Sequence, residues 1–242
     1  MKIGIIGAGA MGCLYASLLS KNNDVTLLDV SETAVKAINE KGIIMSSGDI
    51  EGKKTYKVKA TFSGELEEAP ELLIVFVKDT ATRAALKSNS SLIKENTLLL
   101  SLQNGLGNFE IMEEFADKNQ ILLGTTKHNC VSLNAGEIYH SGSGITHLGS
   151  PAGNKEAAQK IAEVFNACDI ETEACEDVKR LLWQKLFINM TINSVTSLLD
   201  ANISIISDSQ NASNAAKKLI EEAVKVAEAD GEKFDAEQVY SE

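Results

Sequence analysis

The sequence predicts an α/β domain built on a parallel sheet, followed by an all-helical domain. Three observations carry that prediction. Short apolar runs alternate with helical patterns through about residue 175. Glycines cluster where the first run meets the first helical pattern. From Asp177 onward no stretch reads as a strand, and helical patterns at 177–199 and 212–230 dominate. The change in texture divides the chain into residues 1–175 and residues 176–242.

The elements follow in order. KIGII (2–6) reads as a buried parallel strand, residues 11–21 as a helix and DVTLLD (24–29) as a second strand. Residues 31–41 form a helix between an N-cap at Ser31 and a stop at Gly42. Residues 42–63 hold short strands or a hairpin, and ELLIVFVK after Pro70 is the strongest buried strand. A helix over 80–94, a strand over 96–102, a helix over 108–119 and a short strand over 120–123 come next. Residues 135–149 read as two strands joined by a glycine–serine turn, 154–167 as a helix and IETEAC as a last strand.

Composition narrows the function. The chain has 242 residues, 44% hydrophobic and 24% charged, as in an ordinary globular protein. A net charge of -11 disfavours nucleic-acid backbones and anionic membranes as partners. The four cysteines form no C-x-x-C pair, which points to reduced thiols and a cytoplasmic setting. The three histidines lack the spacing of a zinc site, so no metal is expected. No apolar run approaches the roughly 20 residues that span a bilayer. The apolar start is interrupted by glycines and reads as strand and turn, not as a signal peptide.

The first candidate site is GAGAMG at 7–12. In a Rossmann-type unit, the first glycine (Gly7) allows the tight turn out of the strand. The second (Gly9) lets the backbone approach a pyrophosphate, and the third (Gly12) lets the following helix pack closely. The amides of Gly7, Ala8, Gly9, Ala10, Met11 and Gly12 surround a helix N-terminus that favours phosphate. Asp29 lies twenty residues past Gly9, at the end of the second strand. It suits the adenosine ribose of a dinucleotide and repels a 2′-phosphate. It suits equally a surface aspartate at a strand end.

Two further groups stand past strand ends, where α/β folds bind ligands. Lys78 follows the strongest strand and is a candidate phosphate or ribose contact. Gln103, Asn104 and Gly105 follow the next, with Asn104 a candidate for holding substrate or nicotinamide. Either could equally be a solvated loop residue. In the helical domain, LLWQKLFINMTINSVTSLL (181–199) carries Lys185, Asn189 and Asn193 at i, i+4 and i+8, along one helix face. Such a stripe either lines a pocket or sits at a solvent-facing edge, with the asparagines bonding between helices.

GAGAMG, FVK, QNGLGN, GTT at 124–126, HSGSGITHLG and LWQKLFINMTIN, in this order, resemble the ketopantoate reductase (2-dehydropantoate 2-reductase) family over nearly the whole chain. That family reduces ketopantoate to pantoate with NADPH, in pantothenate and coenzyme A biosynthesis. The resemblance implies that Lys185 is the catalytic lysine, that Asn104, Asn189 and Asn193 bind substrate, and that Lys78 and Asn104 lie near the cofactor. Chemistry agrees. Hydride addition to a 2-keto acid builds negative charge on the ketone oxygen, which an ammonium stabilises and protonates. The apolar neighbours Trp183, Leu186 and Phe187 are expected to make that proton easier to release.

The sequence departs from the family pattern twice. Asp29 stands where the family usually has a basic residue for a 2′-phosphate, so NADH is expected to be at least a competent donor beside NADP(H). The family's helical domain runs on by some tens of residues and carries a late serine and glutamate without counterparts here, so the helical domain is expected to be incomplete. Uncovered apolar faces would then favour oligomers, a homodimer included. The competing functions are reduction of another 2-keto acid, a 3-hydroxyacid or glycerol-phosphate dehydrogenase, and cofactor binding without turnover. QNGLGN and the Lys185 helix argue against the dehydrogenases.

Overall fold

β1 (Lys2–Ile6) is the centre from which the sheet grows, and Ile3, Ile5 and Ile6 are buried. In the computed structural model, which describes residues 1–48 and 50–241, β1 pairs in parallel with β2 (Asp24–Asp29) on one side. On its other side it pairs in parallel with β6 (Leu72–Val75). Leu72, Leu73, Ile74 and Val75 are all buried, as a strand covered on both faces requires. The helix α1 (Ala10–Leu19) crosses from β1 to β2 and buries Leu14, Tyr15 and Leu19. Next comes α2 (Glu32–Lys41), capped by the Ser31 hydroxyl accepting from the Ala34 N–H and ended by Gly42 at φ 78°.

The chain continues through β3 (Ile43–Ser47), β4 (Ile50–Tyr56) and β5 (Lys59–Phe62) before β6. After β6 come α3 (Thr82–Ser88), β7 (Leu98–Ser101), α4 (Asn108–Met112) and β8 (Ile121–Thr126). The first unit closes with β9 (Asn129–Asn134), β10 (Glu137–Gly142), β11 (Thr146–Gly149), α5 (Lys155–Asn166) and β12 (Thr172–Ala174). Eight strands form one sheet in the order β12-β11-β8-β7-β6-β1-β2-β5. Strands β5 to β8 in that order are parallel, whereas β11 runs antiparallel to β8. The chain builds outward from β1 through β2 and β5, then returns to β1's other edge with β6. The topological switch therefore lies between β1 and β6, and α/β folds bind ligands beyond the carboxyl ends of strands at such a point.

Four places differ from the sequence reading. The helix over 80–94 is broken into α3 and two single 3₁₀ turns, at Asp79–Ala81 and Ser90–Leu92. Asn89 breaks it: its buried side chain accepts from the Gly64 N–H and donates to Ser63 Oγ and the Ala85 carbonyl. The helix over 108–119 stops at Met112, and Asp117 caps a separate 3₁₀ turn. The two strands within 135–149 are not partners: β10 pairs with β9 and β3, and β11 with β8 and β12. A second sheet, β4-β3-β10-β9, results. Its strand β9 escaped the reading because it is mostly exposed and lacks an alternating apolar face.

The chain divides into two compact units, Met1–Val178 and Lys179–Glu242. The second is helical, with α6 (Val178–Leu199), α7 (Ile205–Asp208), α8 (Gln210–Ala229) and α9 (Ala236–Ser241). Its core joins Trp183 and Phe187 of α6 to Ala223 and Ala227 of α8, with Phe234 and Val239 packed against them. The small alanines of α8 leave room for the aromatic rings of α6. Trp183 donates its indole N–H to Asp230 at 2.9 Å, and Lys179 pairs with the same carboxylate at 3.1 Å. These contacts hold the Asp230 carboxyl below its usual range, the indole hydrogen bond most. No helix among the described residues is long and apolar enough to cross a membrane.

Candidate active site

The glycine turn shows three different uses of the same residue type. Gly7 has φ 108°, and a Cβ there would stand 3.0 Å from the backbone of Phe76, just past β6. Gly12 lies so close beneath the turn that a Cβ would stand 1.8 Å from the Gly7 carbonyl oxygen. Both glycines are demanded by the fold itself. Gly9 is not: its φ of -74° suits any residue, and a Cβ would meet nothing within 4 Å. Gly9 is exposed at the N-cap of α1, and no side chain caps that helix. The first-turn amides thus face outward at the positive end of the helix dipole.

Gly9→Ala is accordingly expected to leave folding unchanged, within about 0.5 kcal/mol of the parent. It should nonetheless weaken dinucleotide binding by about tenfold or more, roughly 1.4 kcal/mol. Thermal unfolding and fluorescence titration with NADH and NADPH check the two halves of this prediction.

Asp29 closes β2 beside the same turn. One carboxylate oxygen accepts from the Ala8 N–H at 2.5 Å and the other from the Ser31 N–H at 2.8 Å. The carboxylate is fixed by backbone donors on both sides, and each oxygen keeps lone pairs for further donors. The sequence brought Asp29 and the glycine turn to one place by spacing alone, and the structure joins them directly. Cys13, one turn into α1, is buried with its thiol on the Ala8 carbonyl. Burial pushes that thiol up to about 12, so it is a packing group without thiolate reactivity.

Lys78 lies three residues beyond β6, exposed, and opens the 3₁₀ turn at Asp79–Ala81. Asn104 lies three residues beyond β7 and is also exposed. Gly105 and Gly107, at φ 92° and 89°, turn the chain sharply after it. Both candidates therefore stand at carboxyl ends of neighbouring parallel strands, on the edge of the sheet that carries the glycine turn.

A buried polar cluster at the end of β8 was missed by the sequence reading. Thr146 Oγ1 bonds to the Tyr15 hydroxyl at 2.8 Å and donates to Thr126 Oγ1 at 3.2 Å. Next to it, His128 Nδ1 and His140 Nε2 share a hydrogen bond of 3.0 Å. Burial, with His140 as a second cause, lowers His128 to about 4, so its imidazole is neutral at ordinary pH. No spacing rule finds this pair, because β8 and β10 bring it together from two sheets.

In the helical unit, Lys185 and Asn189 are half-buried and Asn193 is exposed, along one face of α6. Trp183 and Phe187 are each two residues from Lys185, roughly 200° around the helix. They are consumed by the α8 packing, and Leu186 joins them there. Trp183 and Phe187 therefore turn to a different face of α6 from Lys185, because i, i+2 positions do not share a face.

Comparison with known proteins decides the family. The profile described as "Ketopantoate reductase PanE/ApbA" matches residues 3–153, and the one described as "Ketopantoate reductase PanE/ApbA C terminal" matches residues 177–242. The chain belongs to the ketopantoate reductase family. A 2-dehydropantoate 2-reductase from Pyrococcus abyssi is 35% identical over 237 residues, which cover 97% of this chain and 76% of that protein. One from Streptococcus pyogenes serotype M1 is 32% identical over 241 residues, covering 99% and 78%. Among solved structures, D-mandelate dehydrogenase in ternary complex with NADH and anilino(oxo)acetate superposes with a TM-score of 0.93 at 27% identity, covering 100% of this chain and 78% of that one. A candidate 2-dehydropantoate 2-reductase from Enterococcus faecalis gives 0.80 at 29% identity, with coverage of 100% and 78%. As a ketopantoate reductase family member the chain is an oxidoreductase of the nicotinamide-dependent kind.

Proposed function

We propose that this chain reduces ketopantoate to pantoate, with hydride from a reduced nicotinamide dinucleotide. The observation that carries the reading is the glycine turn, in which Gly9 answers to no contact within the protein and leaves the α1 amides open. That cradle fits a pyrophosphate and makes the rest of the site legible. The amides of Gly9, Ala10, Met11 and Gly12 face the pyrophosphate, since those of Gly7 and Ala8 are bonded to the Leu28 carbonyl and Asp29. Asp29 takes the adenosine ribose, and Lys78 approaches a phosphate or ribose. Asn104 orients the nicotinamide or the substrate. When bound, the cofactor supplies the hydride. Negative charge gathers on the ketone oxygen, where the Lys185 ammonium stabilises it and delivers a proton. Asn189 and Asn193 orient hydroxyl and carboxylate groups without adding charge.

Asp29 favours NADH as the donor. A carboxylate fixed by the Ala8 and Ser31 amides repels a 2′-phosphate and accepts from ribose hydroxyls. The same observation, together with the likeness to an NADH-bound D-mandelate dehydrogenase, supports a second reading in which another 2-keto acid is the substrate. Initial rates of NADH and NADPH oxidation with a panel of 2-keto acids separate the two. The expected result is turnover of ketopantoate, with kcat/KM for NADH within about tenfold of NADPH or above it, a difference of at most roughly 1.4 kcal/mol in transition-state stabilisation. A preference for NADPH of about a hundredfold would overturn the role of Asp29. Strong preference for another keto acid would move the substrate to the second reading.

A further inference from the structure

Gln103 stands between two of the proposed cofactor contacts without being one of them. The residue is 8% exposed, and both ends of its amide are bonded. Nε2 donates to the Val77 carbonyl at 2.7 Å and to Thr82 Oγ1 at 2.9 Å. Oε1 accepts from the Ser101 hydroxyl at 2.9 Å, and Ser101 Oγ in turn accepts from the Gln103 N–H at 3.3 Å. The orientation of the amide is dictated by chemistry, because a carbonyl at Val77 can only accept. Val77 precedes Lys78 and Gln103 precedes Asn104. One side chain therefore ties the peptide carrying Lys78 to the segment carrying Asn104, across the ends of β6 and β7. Thr82, at the start of α3, anchors the tie from a third side. Two exposed residues on separate loops would otherwise drift independently, and side chains that must converge on one ligand gain from a shared rigid support.

We propose that Gln103 is a positioning residue that sets Lys78 and Asn104 in register for the nicotinamide cofactor. The proposal rests on the cofactor roles given above to Lys78 and Asn104. The isosteric change Gln103→Glu isolates it. The packing volume is kept, but both donors are lost and an acceptor oxygen faces the Val77 carbonyl. A purely structural brace and a positioning brace differ in how Gln103→Glu combines with Lys78→Ala and Asn104→Ala.

The test is a double-mutant cycle on NADH and NADPH dissociation constants, measured by cofactor fluorescence, with thermal unfolding in parallel. The expected result is a loss of about tenfold or more in affinity for Gln103→Glu. In the double variants with Lys78→Ala or Asn104→Ala, that change should cost no more than about twofold further. Thr82→Val, which removes one anchor and keeps the Val77 bond, should show a smaller loss of the same kind. Multiplicative losses in both double variants would overturn the proposal, as would unchanged affinity with a lowered unfolding temperature. If the unsubstituted chain binds neither cofactor, the proposed function fails together with the brace. Binding that is intact but additive refutes the brace alone.

Discussion

Replacing Lys185 with alanine is expected to lower kcat/KM for ketopantoate by about a thousandfold, or roughly 4 kcal/mol of transition-state stabilisation. The fall should appear mainly in kcat, because the ammonium is needed where charge develops on the ketone oxygen, less where substrate rests. Folding should be little affected. Lys185 is half-buried on the face of α6 away from Trp183 and Phe187, whose packing against Ala223 and Ala227 holds the helical unit together. Affinity for NADH should stay within about twofold, since the proposed cofactor contacts all lie in the other unit. Steady-state kinetics with cofactor titration check both points. Turnover that survives the substitution would remove Lys185 from the chemistry.

Gly12→Ala is expected to have the largest effect on the cofactor half. A Cβ would stand 1.8 Å from the Gly7 carbonyl oxygen, and neither backbone can yield cheaply. Either α1 moves away from the turn, or the turn itself deforms. Overpacking of this kind costs about 3 kcal/mol, which lowers the unfolding temperature by roughly 6–12 °C in a chain of this size. Dinucleotide affinity should fall by about a hundredfold or more, some 2.7 kcal/mol, because the amides proposed to face the pyrophosphate belong to the displaced turn. The contrast with Gly9→Ala is the useful comparison. One substitution harms the fold and the binding together, whereas the other is expected to harm binding alone.

The fold was legible where each run of sequence carried one period. KIGII, DVTLLD and the glycine turn between them gave β1, β2 and the start of α1, because a buried parallel strand and a glycine-paced turn are local patterns. The broken helix at 80–94 was not legible, since Asn89 disrupts it through contacts with Ser63 and Gly64, some 25 residues away. The second sheet was hidden for a similar reason. β10 follows β9 closely but also pairs with β3, and no local pattern announces that parallel pairing.

The site was legible in proportion to how much of it is backbone. GAGAMG and Asp29 could be placed by counting, and the hydrogen bond from the Ala8 amide to Asp29 joins them. Lys185, Asn189 and Asn193 share a face because helix geometry makes i, i+4 and i+8 do so. Trp183 and Phe187 lie two residues from Lys185 yet on another face of α6, because adjacency in sequence is not adjacency around a helix. The connection through Gln103, and the histidine pair at His128 and His140, needed the strands assembled before any of their partners could be named.

The most direct measurement follows the hydride itself. The chain is incubated with ketopantoate and NADH carrying deuterium at both C4 positions, and the product is read by mass spectrometry. The account predicts pantoate with one deuterium at C2, formed by the unsubstituted chain and nearly absent with Lys185→Ala. Pantoate without deuterium, or no pantoate with either NADH or NADPH, would contradict it.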